Sequence, residues 1–295
     1  MKQWMYPVMI VLAASSYGIL STIVKLAMKQ GFVASEAITS QYVFGFLFVL
    51  FLYIVTQRRL PVFRGGKILL LTGMLTATTG IVYGQALRFL PASLAVVMLF
   101  QFTWIGMLIE CVAQRRLPKR IEVMSLLILF VGTIMAAGVL NVDLSGIAWQ
   151  GWVLGFLSGI SFAFFIFINS KPIEGMDSTT RLLFVSIVAL IMASIFQSPE
   201  IVWNGTLFSE GLWVYGSALG LFGIVLPIFL FSVAVPRVGS GMSSILGAME
   251  LPVAVMASVL VLHEPFTLVQ FFGILVIFMG MILPSVFQKK IPLEA

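Results

Sequence analysis

Charge is what this 295-residue sequence has least of: 9% of residues are Asp, Glu, Lys or Arg, whereas 60% are hydrophobic. A soluble domain carries about 25% charged residues to cover its surface. A chain this apolar calls for an apolar solvent, and the bilayer is that solvent. Cysteine and histidine are almost absent. Cys111 is single, so no internal disulfide forms, and one histidine with no cysteine pair leaves redox and zinc chemistry without ligands. No Walker loop, no HExxH motif and no nucleophile–base pair is present, and His263, the lone imidazole, falls in a turn. ATP-driven pumping and cofactor chemistry are therefore not expected of this chain, nor is any cofactor.

The net charge of +6 is no nucleic-acid signal, because 17 Lys and Arg are few and sit between apolar runs. Nucleic acid is not an expected partner; the lipid bilayer is. After Lys2 the sequence stays apolar up to Lys25 without a small-residue cleavage site, which predicts an uncleaved first helix.

Continuous runs without two-residue alternation favour helices over a membrane barrel. Ten of them stand out: 5–28, 37–56, 68–87, 91–113, 121–140, 151–170, 181–198, 212–235, 239–262 and 266–287. Breakers separate them, among them Arg59-Leu60-Pro61, Leu117-Pro118, Asn141-Val142-Asp143, Lys171-Pro172, Ser198-Pro199 and His263-Glu264-Pro265. With a cytoplasmic N-terminus, only Lys25, Lys29 and Arg88 of the 17 basic residues fall outside. The other 14, from Lys2 and Arg58 through Arg116 and Arg237 to Lys289 and Lys290, fall inside. The expectation is a multi-pass protein of the cell membrane with both termini cytoplasmic.

The chain also repeats. A shift of 148 brings Ala92 onto Ser240 and Leu129-Phe130-Val131-Gly132 onto Ile277-Phe278-Met279-Gly280; a shift of 146 brings Ser15 onto Ser161 and Lys25 onto Lys171. The fold class expected is an all-α membrane protein, ten transmembrane helices in two inverted five-helix repeats, 1–145 and 146–295. The second must be inverted because five is odd, and the outer loop at Arg88 then matches an inner one at Arg237. Inverted repeats of this kind build secondary transporters, with substrate bound near the midplane between the halves.

The stretch Leu87-Arg88-Phe89-Leu90-Pro91-Ala92-Ser93-Leu94-Ala95 resembles the signature between the third and fourth helices of the EamA-like branch of the drug/metabolite transporter superfamily. The second half is similar to the same family through Glu250-Leu251-Pro252, His263-Glu264-Pro265 and Gly273 to Gly280. The resemblance implies a ten-helix carrier of small metabolites or amino acids, often working outward. The first half departs from the pattern: Gln101-Phe102-Thr103-Trp104 stands where a Glu-Pro is expected, and Arg116 where the second half has Glu264.

Ionisable groups inside a membrane cost several kcal/mol unless paired or hydrated, so they are functional candidates. Glu250 is the foremost, in the middle of span 239–262, with Pro252 two positions on to free a backbone carbonyl. It binds a cationic group or a proton on one reading and fixes packing on the other. Ser243, Gly247, Ala254 and Ala257 share its face, leaving room for helix contact or a cavity. Lys25 and Lys29 lie near the outer end of the first helix in a polar stripe with Ser15, Gly18 and Thr22, where snorkelling is the alternative. Thr72, Thr76, Thr79 and Tyr83 share a face of the third helix and either line a cavity or bond back to their own carbonyls. Gln101 and Trp104, and Ser158, Ser161, Phe165 and Asn169, are further candidate pocket walls, and Tyr83, Trp104 and Phe165 suit a flat or cationic molecule by stacking. Glu110 is an ion-pair or gate candidate beside Arg115 and Arg116, and Glu264 a gate or helix cap. Gly151, Gly155 and Gly159 form a stripe suited to close packing.

Secondary transport of a small-molecule substrate, driven by protons or by the substrate gradient, is the first functional expectation. An intramembrane enzyme and a non-transporting signalling or structural membrane protein are the alternatives, and a homodimer is compatible with any of the three.

Overall fold

A computed structural model of the chain describes residues 3–58, 60–90, 92–139, 146–197 and 199–287. Lys2, Arg59, Pro91, Asn141, Val142, Asp143, Ser198, Lys289 and Lys290 lie outside the described residues.

The described residues form α-helices and no strand. In a medium without water each backbone N–H and C=O must be satisfied within its own segment, and the helix does this. In chain order the helices are α1 (Met5–Lys29), α2 (Ala34–Gln57), α3 (Gly66–Ala86), α4 (Ala92–Leu99), α5 (Phe102–Ala113), α6 (Arg120–Ala136) and α7 (Trp149–Asn169). They continue as α8 (Ser178–Phe196), α9 (Leu212–Gly220), α10 (Leu226–Val238), α11 (Ser240–Gly247), α12 (Glu250–Leu262) and α13 (Leu268–Phe287). Among the described residues, eight helical stretches are long and apolar enough to cross a membrane: α1, α2, α3, Leu94–Ala113, α7, α8, Leu212–Val238 and Ser240–Leu262. The 17-residue α6 and the apolar part of α13, Leu268–Pro284, are shorter.

Three of the runs read as continuous in the sequence are interrupted. Between α11 and α12 the chain turns at Ala248 and Met249. Pro252 has no N–H to give the Ala248 carbonyl, which instead receives a long 3.4 Å bond from the Leu251 N–H. Between α9 and α10 the helix widens into a π-turn, Leu221–Val225, just ahead of Pro227, which cannot donate to Gly223. Between α4 and α5 the Gln101 N–H bonds the Met98 carbonyl, and the Gln101 side chain donates to Val97 at 2.9 Å in its place. Glu250, expected mid-helix, thus stands in the first turn of α12, directly after a break.

Small residues set the helix spacing. The α7 stripe packs on α4 and the turn before it: a Cβ on Gly151 would meet Leu90 at 2.8 Å, one on Gly155 would meet Met98 at 2.7 Å, and one on Gly159 would meet the Leu99 carbonyl oxygen at 2.8 Å. Gly216 and Gly220 seat α9 on Ser40, Phe44 and Gly45 of α2. Helices α6 and α13 run antiparallel, with Gly132 against Ile277, Gly273 against Ala136, and the Ser125 hydroxyl donating to the Gly280 carbonyl. The outward faces carry large apolar side chains such as Phe51, Leu127, Phe272 and Met279. Such a surface suits acyl chains and not water.

Gly159→Ala is expected to lower stability by about 1–3 kcal/mol, because the backbone of α4 must move to admit the methyl group. Thermal unfolding of the purified variant in detergent checks this; an unchanged midpoint would contradict the contact.

Candidate functional site

A cavity of about 110 Å³ opens among α1, α2, α3, α4, α7, the π-turn and α12. Its residues come from the C-terminal parts of α1 and α3 and the N-terminal part of α2, so it lies toward one end of the bundle. Helix α1 can approach the break at Glu250 because residue 18 is glycine: a Cβ there would collide with the Glu250 carbonyl oxygen.

Glu250 lines this cavity, and its Oε2 is buried without a hydrogen-bond partner among the described residues. The Tyr17 and Tyr83 phenols line the same cavity. Thr76 and Thr79 line it as well while donating to the Thr72 and Leu75 carbonyls at 2.8 Å. Cavity lining and back-bonding, the two alternatives for this hydroxyl stripe, therefore coexist. Thr72 is buried in the packing and donates to Ile68. Ser161 stands behind the wall, hydrogen-bonded with Thr79 at 2.9 Å.

The floor is aromatic. Phe162 and Phe165 stack at 5.7 Å, Tyr17 meets Phe162 edge-on at 5.5 Å, and Phe102 meets Phe162 at 4.7 Å. Phe102 lies 148 residues before Glu250, the shift at which the sequence is expected to repeat.

Other candidates lie elsewhere. Trp104 donates to Gln101 at 2.7 Å on a partly exposed helix face, away from the cavity. Ser243 is buried in α11 and bonded to the Gly239 carbonyl. Asn169 is buried near the end of α7, donating to the Phe165 carbonyl at 3.2 Å, and its Oδ1 has no partner among the described residues. Lys25 pairs with Glu264 at 2.7 Å at the bundle end nearest the cavity, and the bonds at the start of α13 run between Thr267 and Gln270 instead of to Glu264. At the opposite end Glu110 accepts from the Ser240 hydroxyl at 2.8 Å, the Gly241 N–H at 2.6 Å and Arg116 at 3.2 Å. It thereby ties α5 to the start of α11, where the helix dipole favours negative charge. Hydrogen bonding to Glu122 holds the Arg116 guanidinium above its ordinary value, against the opposing pull of burial.

Sequence reasoning missed Tyr17, Ser21, Gln41 and Tyr42, all on the cavity. Tyr17 belongs beside the Ser15–Gly18–Thr22 stripe, and Gln41 is an amide inside an apolar run, a signal of the same kind as Gln101. Gln41 packs against Gly223 of the π-turn, 2.6 Å from where a Cβ would stand, and no sequence signal announced that turn.

The contacts at the two ends can be tested separately. Glu110→Ala strips the partner from two donors at the start of α11 and is expected to cost about 1–3 kcal/mol, read as a lowered thermal midpoint. For Glu264, burial raises the carboxyl's affinity for its proton, but hydrogen bonds from Lys25 and Ser258 and the Lys25 charge outweigh it and hold the group below its ordinary value. A lowered carboxyl contributes stability above its unfolded value, and that contribution is lost as pH falls through the lowered one. The difference in thermal midpoint between wild type and Lys25→Gln is therefore expected at neutral pH and should vanish on acidification below the carboxylate range.

Residues 149–286 match the EamA-like transporter family. A stretch of 86 residues is 33% identical to the chloroplastic triose phosphate/phosphate translocator of Zea mays, covering 28% of this chain and 20% of that protein's length. A protein of known crystal structure shares the fold over 97% of this chain and 98% of its own, with a TM-score of 0.75 at 12% identity. The match across the second half carries Glu250 and the turn before it, and among the described residues eight helical stretches are long and apolar enough to span a bilayer, so this chain is a multi-pass membrane protein whose second half is similar to the EamA-like transporters.

Proposed function

We propose that this chain is a secondary carrier of the cell membrane that moves a small organic solute by alternating access, with ten crossings in two inverted halves, 1–145 and 146–295. The observation that carries this reading is the Glu250 carboxylate, set at a helix break and facing a cavity built by both parts of the chain. Discontinuous helices at the centre of a membrane protein are tolerated where they line a cavity, and that is where carriers bind.

The placement of the breaks supports the duplication. Helix α4 starts at residue 92 and α11 at 240, α5 at 102 and α12 at 250, α6 at 120 and α13 at 268, each pair 148 apart. The packing supports it too, since partners exchange with the halves. Helix α3 packs on α7 as α1 packs on α10, and α2 packs on α9 as α3 packs on α8, while α5 meets α11 and α6 meets α13.

The cycle follows from the two ends. The cavity reaches toward the Lys25–Glu264 end, which the distribution of basic residues assigns to the outside. Toward the inside it is shut by the Phe162 and Phe165 floor and by the Glu110 bonds to α11. This is an outward-facing arrangement. Rocking the halves breaks the Glu110 contacts, parts the floor and closes the Lys25 end. Both termini are cytoplasmic on this reading, and export is the direction the family resemblance implies. Thr76, Thr79, Tyr83 and Glu250 meet the solute, Ser161 steadies Thr79, and Lys25, Glu264 and Glu110 act at the gates. A proton on Glu250 in the unloaded carrier supplies the coupling. Gln101, Trp104, Asn169 and Ser243 have no contact with solute in this arrangement.

The test uses proteoliposomes loaded with amino acids, amines, nucleosides and sugar phosphates, with efflux read by mass spectrometry against protein-free vesicles. Depletion of a subset of solutes, steepened by an imposed pH gradient, is expected. Glu250→Gln should abolish the gradient response while leaving the far-UV circular dichroism unchanged. Loss of no solute beyond the control overturns the carrier; an unchanged gradient response in Glu250→Gln removes Glu250 from coupling.

A further inference from the structure

We infer that the cavity takes a compact organic ammonium ion and not a phosphate ester; the step from binding to transport rests on the carrier reading above. The described lining contains one acidic side chain, Glu250, and no Lys, Arg or His. Phosphate recognition draws on Arg or Lys, whose charge and donors match the phosphoryl oxygens. Two cations adjoin lining residues in sequence, Lys25 and Arg88; Lys25 is bonded to Glu264 at 2.7 Å, Arg88 donates to Gln85 at 3.0 Å, and neither lines the cavity. A phosphate placed here would face the Glu250 carboxylate with no cation to balance either charge.

The same surroundings suit a positive nitrogen. Among the described residues the buried Glu250 Oε2 has no donor, and an ammonium N–H supplies one with charge assistance. Rings of Tyr17, Tyr42, Tyr83, Phe162 and Phe165 surround the space, and aromatic faces attract organic cations through their quadrupole. Tyr42 is fixed in this role, its hydroxyl donating to the Thr76 carbonyl at 3.0 Å. A bare metal ion fits less well, since Ca²⁺ requires about six to eight oxygen ligands and the wall here is mostly carbon. The volume, about 110 Å³, is below the roughly 150 Å³ of an engineered cavity that holds benzene, so the head of the ligand must be small. A proton and an ammonium group would then compete for one carboxylate, which is the simplest form of exchange at a single site.

Isobutylammonium is a suitable probe, because isobutanol has nearly the same shape without the charge. Thermal unfolding of the purified full-length protein is followed with isobutylammonium, isobutanol, dihydroxyacetone phosphate or inorganic phosphate. Isobutylammonium is expected to raise the midpoint saturably, and the other three to leave it in place. Glu250→Gln should weaken the effect roughly 10- to 100-fold, with partial recovery in Glu250→Asp. If Glu250→Gln fails to fold, the contrast between ammonium and alcohol in the wild type still decides. Stabilisation by either phosphate, equal stabilisation by isobutanol, or none by isobutylammonium overturns the inference. The carrier reading fails separately: vesicles that move a neutral or anionic solute refute the ammonium and keep the carrier, whereas binding without flux of any solute does the reverse.

Discussion

Everything in this architecture has to accommodate one carboxylate among apolar side chains. Burying a charge or a proton-bearing acid away from water is costly unless something answers it, and among the described residues nothing answers the Oε2 of Glu250. The protein tolerates this because the carboxylate stands at a helix break beside a cavity and does not face the lipid. The break depends on Pro252, which cannot return a hydrogen bond to Ala248. The approach of α1 depends on Gly18, where any side chain would strike the backbone at Glu250.

Around that centre the packing is done by absence of side chain more than by its presence. In lipid the hydrophobic effect does not drive one apolar helix onto another, so close van der Waals contact and interhelical hydrogen bonds must hold the bundle. Gly159, Gly220 and Gly273 each bring one backbone against another. Hydroxyls supply the directional part: Ser16 donates to the Phe222 carbonyl of the π-turn at 2.6 Å, meeting an acceptor on the segment where the α-helical pattern is interrupted.

The two ends are held differently. At the Glu110 end a buried carboxylate takes donors from another helix, whereas at the Lys25 end an ion pair is half open to its surroundings. Exposed pairs contribute little stability and part easily. On the proposed cycle, the end toward which the cavity reaches is held by the weaker of the two contacts.

The apolar runs by themselves determined that this is a helical membrane protein, because a segment without water must satisfy its own backbone. The carboxylate in the ninth run and the hydroxyl stripe Thr76, Thr79, Tyr83 were legible for a related reason: a polar group in such a segment is expensive and conspicuous. The motif at Glu250 also pointed to the family. The breaks inside runs 91–113 and 212–235 were not legible, since a chain stays apolar through a discontinuity and its hydropathy does not change there; for run 239–262 the signal was Pro252 and the carbonyl it frees. Tyr17 and Tyr42 escaped notice because an aromatic ring is equally at home in lipid, packing or a cavity wall. Gln101 and Trp104 read as pocket walls from their polarity alone, yet they satisfy each other on an outer face. Which polar groups face one space, and which turn away and pair, is fixed by helix rotation and by glycine contacts between distant segments. Those are distances across the bundle, and only the tertiary structure decides them.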